Sequence, residues 1–112
     1  MEFKGEKIDP LGDCPIRSLI NRLGSKWSLL VLALLATNGT MRFNEIQKLI
    51  GVISQRMLTV TLRSLEANGV VSRTVYPEVP PRTEYTLTGP GESLIVHLSN
   101  LRRWAMENLR DS

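Results

Sequence analysis

The sequence predicts a mainly α-helical fold with one small β-hairpin. Apolar residues recur at helical spacing in five separate segments. One stretch of β-formers, from Val70 to Tyr76, resumes at Arg82 to Leu87 after the proline-rich segment Pro77 to Pro81. Two of the short helices flank Gly51-Val52-Ile53, a tight glycine-containing connection of the kind that joins a helix-turn-helix pair. Together these read as a winged helix-turn-helix, paired into a homodimer through its terminal helices.

At 112 residues the chain suits one domain and one core. Residues 1–13 are polar, with Gly5, Pro10 and Gly12, and read as a flexible arm. Residues 14–112 read as the folded domain. Pro15 fits the first turn of a helix, where its missing N–H costs nothing. Ile16, Leu19, Ile20 and Leu23 then follow at i, i+3, i+4 and i+7, up to Gly24. Ser25 is placed to cap a second helix, Lys26 to about Ala36. That helix is apolar nearly all round, which predicts a central place in the core. Thr37 to Thr40 is a turn cluster, and Met41-Arg42-Phe43 reads as a short strand pairing with the wing.

Asn44 and Gln47 read as the capping pair of the third helix, with Ile46, Leu49 and Ile50 as its buried stripe. Ser54 can cap the fourth helix by accepting a free N–H of the first turn. Its core face is Leu58, Leu62 and Leu65, and Asn68-Gly69 ends it. Ser54, Gln55, Arg56, Thr59, Val60 and Arg63 fall mostly on its other faces. Their hydroxyl, amide, guanidinium and methyl groups are the kinds that read base edges in a major groove. This is therefore the candidate recognition helix. Candidate contacts to the DNA backbone, from the wing and elsewhere, are Lys26, Arg42, Lys48, Arg73, Tyr76 and Arg82, with Arg82 read as lying at the hairpin tip. For each cation the plain alternative is surface solubility.

Thr88 caps a last helical segment, about 89–110, whose regular part is expected from about Glu92 to Leu109. Gly89 and Gly91 weaken its start. Leu94, Leu98, Leu101 and Ala105 form one stripe, with Ile95 and Trp104 beside it. That is more apolar surface than so small a domain covers unaided, so part of it reads as a homodimer face. The alternative is that it folds back on the first two helices.

Lys plus Arg exceeds Asp plus Glu by three, a modest excess that fits an anionic partner without demanding one. The longest apolar run, Leu29 to Ala36, is far short of the roughly 18–20 residues that span a bilayer. The first residues lack the apolar core of a secretory signal, so the expectation is a cytoplasmic protein without a membrane partner. One Cys and one His cannot build a structural zinc site. Neither stands in a catalytic motif, and no phosphate-binding glycine loop or acid cluster is present. The sequence thus predicts no metal, no cofactor and no enzyme. A second non-enzymatic reading is a winged helix used for protein–protein contact; Gln55, Arg56 and Arg63 on the exposed helix argue against it.

The stretches CPIRSLINRLGSKWSLLVL, RFNEIQKLIGVISQRMLTVTLRSLEANGVVSR and VYPEVPPRTEYTLT, with Gly91 at the start of the last helix, resemble the HxlR-type transcriptional regulators. These are a branch of the MarR-like winged helix-turn-helix proteins. The likeness runs from Cys14 to about Trp104. It implies a homodimer that binds double-stranded operator DNA of partly palindromic sequence, with the groove-facing set above and Arg73 to Arg82 as the wing. Two places depart from the family pattern. Val60-Thr61 stands where Gln and Arg are common, which either removes one base contact or turns it into apolar contact with a thymine methyl. Gly89-Pro90 stands where better helix formers are usual, which predicts a late start or a bend. Cys14, just before Pro15, sits where free N–H groups and the helix dipole stabilise a thiolate. The resemblance points the same way, to sensing of an oxidant or a small-molecule electrophile; the alternative is a semi-buried Cys without a signalling role.

Overall fold

A computed structural model describes residues 15–109, with side chains from Ser18 onward. Five helices and three strands follow in order: α1 Pro15–Leu23, α2 Lys26–Asn38, β1 Met41–Arg42, α3 Phe43–Ile50, α4 Gln55–Ala67, β2 Val71–Tyr76, β3 Arg82–Leu87 and α5 Gly89–Asn108. The strands form one antiparallel sheet in the order β1-β3-β2. Met41 pairs with Tyr85, and Val71 through Tyr76 pair with Leu87 back through Arg82.

Local chemistry sets most boundaries. The Ser25 hydroxyl accepts the Ser28 N–H at 3.1 Å and starts α2. The Ser54 hydroxyl accepts the Met57 N–H at 3.0 Å and starts α4. Both satisfy amides that the first helical turn leaves free. Gly51, between α3 and α4, has φ 83°, a left-handed conformation that glycine adopts at little cost.

The core is built from Leu23, Val31, Leu32, Leu35, Met41, Ile46, Ile53, Leu58, Leu62, Leu65, Val70, Val71 and Tyr85. On α4 the buried residues are Leu58, Thr61, Leu62 and Leu65, the i, i+3, i+4, i+7 pattern of one face.

Four expectations need correction. The cap of α3 lies two residues earlier than Asn44. Arg42 is extended because it pairs with Glu84 in the sheet, so the helix begins at once with Phe43. Glu45 Oε1 then accepts the Arg42 N–H at 2.8 Å, the task expected of Gln47. Leu49 is 57% exposed, because the inner stripe of α3 is Phe43, Ile46 and Ile50 and leaves Leu49 at its edge. Helix α2 is not enclosed on all sides. Ser28, Val31, Leu32 and Leu35 are buried, whereas Leu29, Leu30, Ala33 and Ala36 are exposed. Its outer side instead lines a groove with α5.

The fourth correction concerns α5, which neither starts late nor is weakened by Gly91. Thr88 accepts the Gly91 N–H at 3.1 Å and donates to the Gly69 carbonyl at 2.6 Å. Gly91 is buried with its Cα against the Val70 carbonyl, where a Cβ would collide. The first half of α5 packs Leu94, Ile95 and Leu98 on this chain's own core. Farther along, Leu101 is 61% exposed and Trp104 54%. Between α2 and α5 lies an open groove of about 630 Å³, lined by Leu29, Ala33, Ile95, Leu98, Leu101 and Ala105 among others.

Candidate nucleic-acid interface

Helix α4 presents two adjacent stripes away from the core. At 100° per residue, Arg56, Val60 and Arg63 lie on one stripe, opposite Leu58 and Leu62. All three are exposed. Gln55, Thr59 and Arg63 wind along the neighbouring stripe on the wing side. Two of the candidate hydroxyls already serve the helix itself. Ser54 caps it, and Thr59 donates to the Gln55 carbonyl at 2.9 Å. Thr61 is buried in the core, so Val60 alone of the Val60-Thr61 pair faces outward.

The wing-side stripe faces a polar groove of about 400 Å³. Phe43, Gln55, Thr59, Arg63, Glu66, Arg73 and Tyr85 line it. The fold thus joins three candidate residues of α4 to Arg73 of β2, and adds Glu66 and Tyr85, which the sequence reading did not single out. The Arg73 Nε stands 3.4 Å from Glu66 Oε1. Burial raises the Tyr85 hydroxyl above its ordinary pKa, and the nearby Arg73 guanidinium partly offsets this. At neutral pH Tyr85 therefore remains a hydrogen-bond donor.

Arg82 is not at the hairpin tip. It is the first residue of β3 and pairs across the strand with Tyr76. Its guanidinium lies 4.1 Å from the Tyr76 ring centroid, a cation–π contact. Glu78 Oε2 is 3.3 Å away and Glu84 Oε2 3.4 Å. The Nε–Glu84 approach is an ion pair rather than an aligned hydrogen bond, since the enclosed Nε has no hydrogen-bond partner. The tip itself, Pro77 to Pro81, has Glu78 as its only charge and a fully exposed Val79.

The remaining cations are dispersed. Arg42 is exposed on β1. Lys48 lines a separate shallow groove with Asn38, Thr40, Met41, Glu45 and Leu49. Lys26 Nζ lies 4.8 Å from the ring centroid of its neighbour Trp27. Cys14 lies outside the described residues. Among the described residues no cluster of His, Cys, Asp or Glu is suited to a metal ion, and no helix is long and apolar enough to cross a membrane.

Comparison with known proteins settles the family. The model of the HxlR-like helix-turn-helix matches residues 22–112. The chain belongs to the HxlR-like family. An HTH-type transcriptional regulator of Methanothermobacter thermautotrophicus is 47% identical over 106 residues, which cover 91% of this chain and 80% of that protein. The reduced form of the transcriptional regulator YodB from B. subtilis superposes with a TM-score of 0.77 at 38% identity, covering 87% of this chain and 95% of YodB. The redox regulator HypR in its oxidized form gives 0.75 at 39% identity, covering 88% and 100%. This HxlR-like chain is a transcriptional regulator of the helix-turn-helix type and not an enzyme. Its architecture is the winged helix of the MarR-like regulators.

Proposed function

We propose that this HxlR-like regulator binds a partly palindromic operator as a homodimer, with one α4 in each of two successive major grooves. The observation that carries this reading is the split character of α4. Leu58, Leu62 and Leu65 fix it in the core, while Arg56, Val60 and Arg63 stand exposed on the far side. A rod held along one face and chemically varied along the other is suited to reading base edges. Arg56 and Arg63 offer two-pronged donors for guanine, Gln55 an amide for adenine, and Val60 a methyl surface for thymine. Ser54 and Thr59 bond within the helix, so their contribution is chiefly to hold its start rigid. Lys26, Arg42 and Lys48 supply phosphate contacts, which give affinity and register but little sequence information.

The homodimer rests on α5. Leu101, Trp104 and Met106 are exposed along its second half and Leu109 just past its end, and Leu101 lines the groove it forms with α2. Ala105 lies in that groove, and Leu94, Ile95 and Leu98 back it from this chain's core. A second copy bound here by a two-fold axis sets the two recognition helices roughly 34–36 Å apart, one turn of DNA.

The proposed control point is Cys14. It immediately precedes Pro15, the first residue of α1. The likeness to HypR, which is a redox regulator, supports the reading. As the only Cys, its thiolate has three outcomes. It forms a disulfide with its counterpart in the dimer as an oxidant takes two electrons, exchanges with a small-molecule disulfide to give a mixed disulfide and release one small thiolate, or adds to an electrophile such as a quinone.

Arg56→Ala and Arg63→Ala test the central claim. Binding to the protein's own upstream DNA should weaken by about 1–3 kcal/mol, roughly 5- to 150-fold, with relaxed preference at one base position. Random duplex should be affected far less. Equal losses on both duplexes would reduce these residues to phosphate contacts and remove α4 as the reader.

A further inference from the structure

One carboxylate is paired with a guanidinium where the recognition helix meets the wing. Glu66 lies one turn beyond Arg63 on α4, and both line the groove that Arg73 enters from β2. Glu66 Oε1 is 3.4 Å from Arg73 Nε. Arg73, Glu66 and Arg63 all act electrostatically on the Tyr85 hydroxyl, so the four groups form one cluster. The side chains of Arg73 and Glu66 are 48% and 37% exposed. A pair so open to water contributes little to stability. Its larger consequence is outward: a guanidinium already matched by a carboxylate offers a phosphate less net charge.

We propose that Glu66 is a brake on sequence-independent DNA binding. It engages the Arg73 guanidinium, and while it does so a phosphate of the duplex does not gain that contact. The inference rests on the DNA-binding reading above and assigns a role that α4 does not otherwise need. Arg56 and Val60 lie on the neighbouring stripe, and Glu66 is ion-paired with Arg73 rather than with Gln55 or Arg63, which share its groove. Phosphate contacts act alike on every duplex. Releasing Arg73 therefore raises affinity for operator and random DNA by the same factor and leaves their ratio unchanged. Each added phosphate contact on double-stranded DNA steepens the slope of log K against log salt by about 0.9, which amounts to about fivefold in affinity near 0.15 M salt.

The test compares the full chain as wild type, Glu66→Gln, Arg73→Gln and the double variant. Fluorescence anisotropy is read on operator and random duplexes of equal length over a range of salt, with melting temperatures taken alongside. Glu66→Gln should tighten both duplexes about fivefold and steepen both slopes by about 0.9. In the Arg73→Gln background the same change should do neither. A gain that persists without Arg73 overturns the proposal, because it would be a general charge effect rather than release of a held guanidinium. Unchanged binding in Glu66→Gln overturns it too. So does weaker binding with a lowered melting point, which would make Glu66 a structural tie between helix and wing. A wild type that binds no duplex at all would overturn the DNA-binding reading as well, and so is distinguishable from failure of the brake alone.

Discussion

Replacing Gly91 by Ala should destabilise the protein, although helix propensity alone predicts the opposite. Gly91 is the third residue of α5, and Ala there is worth up to about 1 kcal/mol over Gly on propensity. The added Cβ, however, would run into the Val70 carbonyl oxygen, with the carbonyl carbon at 3.1 Å and Leu87 Cδ2 at 3.3 Å. That oxygen cannot turn away freely, because it accepts the Thr88 N–H at 3.1 Å. Relief requires the start of α5 to move off Val70, at an overpacking cost of about 1–3 kcal/mol. Losing the Thr88 bond adds about 0.5–1.5 kcal/mol. Against the propensity gain, the net loss is about 0.5–3.5 kcal/mol, a fall in melting temperature of roughly 2–15 °C for a domain of this size. Gly89→Ala is the control: a Cβ at that position meets nothing within 4 Å, so propensity should win and the melting temperature should hold or rise. Thermal denaturation followed by circular dichroism reads both. Equal small changes at the two glycines would show that α5 is free to slide off Val70. The reasoning about close approach would then be wrong.

Two further outcomes are expected. Replacing Leu101 and Trp104 by Glu should give monomers in sedimentation and abolish operator binding together; a wild type that is monomeric at micromolar concentration without DNA would remove the proposed α5 face. Diamide or a quinone should change operator affinity in wild type and not in Cys14→Ser, and a response that survives in the Ser variant would take Cys14 out of the mechanism.

What the sequence made legible was the local chemistry. The caps at Ser25, Ser54 and Thr88 depend on a hydroxyl meeting an amide three residues on, and each stands where that spacing places it. The two faces of α4 follow from a period the chain itself displays. Most of the misses are contacts that only the fold makes, some between distant segments and some across the hairpin. Arg42 left α3 to start early because its partner Glu84 lies in β3. Gly91 reads as a weak helix start on propensity alone, but the Val70 carbonyl lies against it and needs the space a Cβ would fill. Arg82 looked free for phosphate, yet Tyr76, Glu78 and Glu84 surround it. Glu66 shares its stripe with Gln55 and Arg63, so its position was readable. Its meaning was not, because that comes from Arg73 on another element. The apolar excess of α2 suggests one enclosed helix, whereas it serves two surfaces, the core and the groove with α5.

The same long-range contacts constrain how a change at Cys14 would reach DNA. Helix α1 begins one residue later and ends with Leu23 in the core. Its Arg22 Nη1 lies 3.5 Å from Oδ1 of Asn68, the residue that closes α4. Asn68 in turn bonds back to the Ser64 carbonyl at 2.8 Å. Helix α1 therefore meets α4 at its C-terminal end, while Gln55 and Arg56 stand at the other end, roughly 18 Å away at 1.5 Å per residue. A modification that displaces α1 would tilt α4 as a rod rather than melt its reading end, which Ser54 and the Thr59 bond hold independently. Hydrogen exchange during the diamide experiment should accordingly rise first around Asn68 to Val70. A first rise at Gln55 and Arg56 would place the signal on a different route.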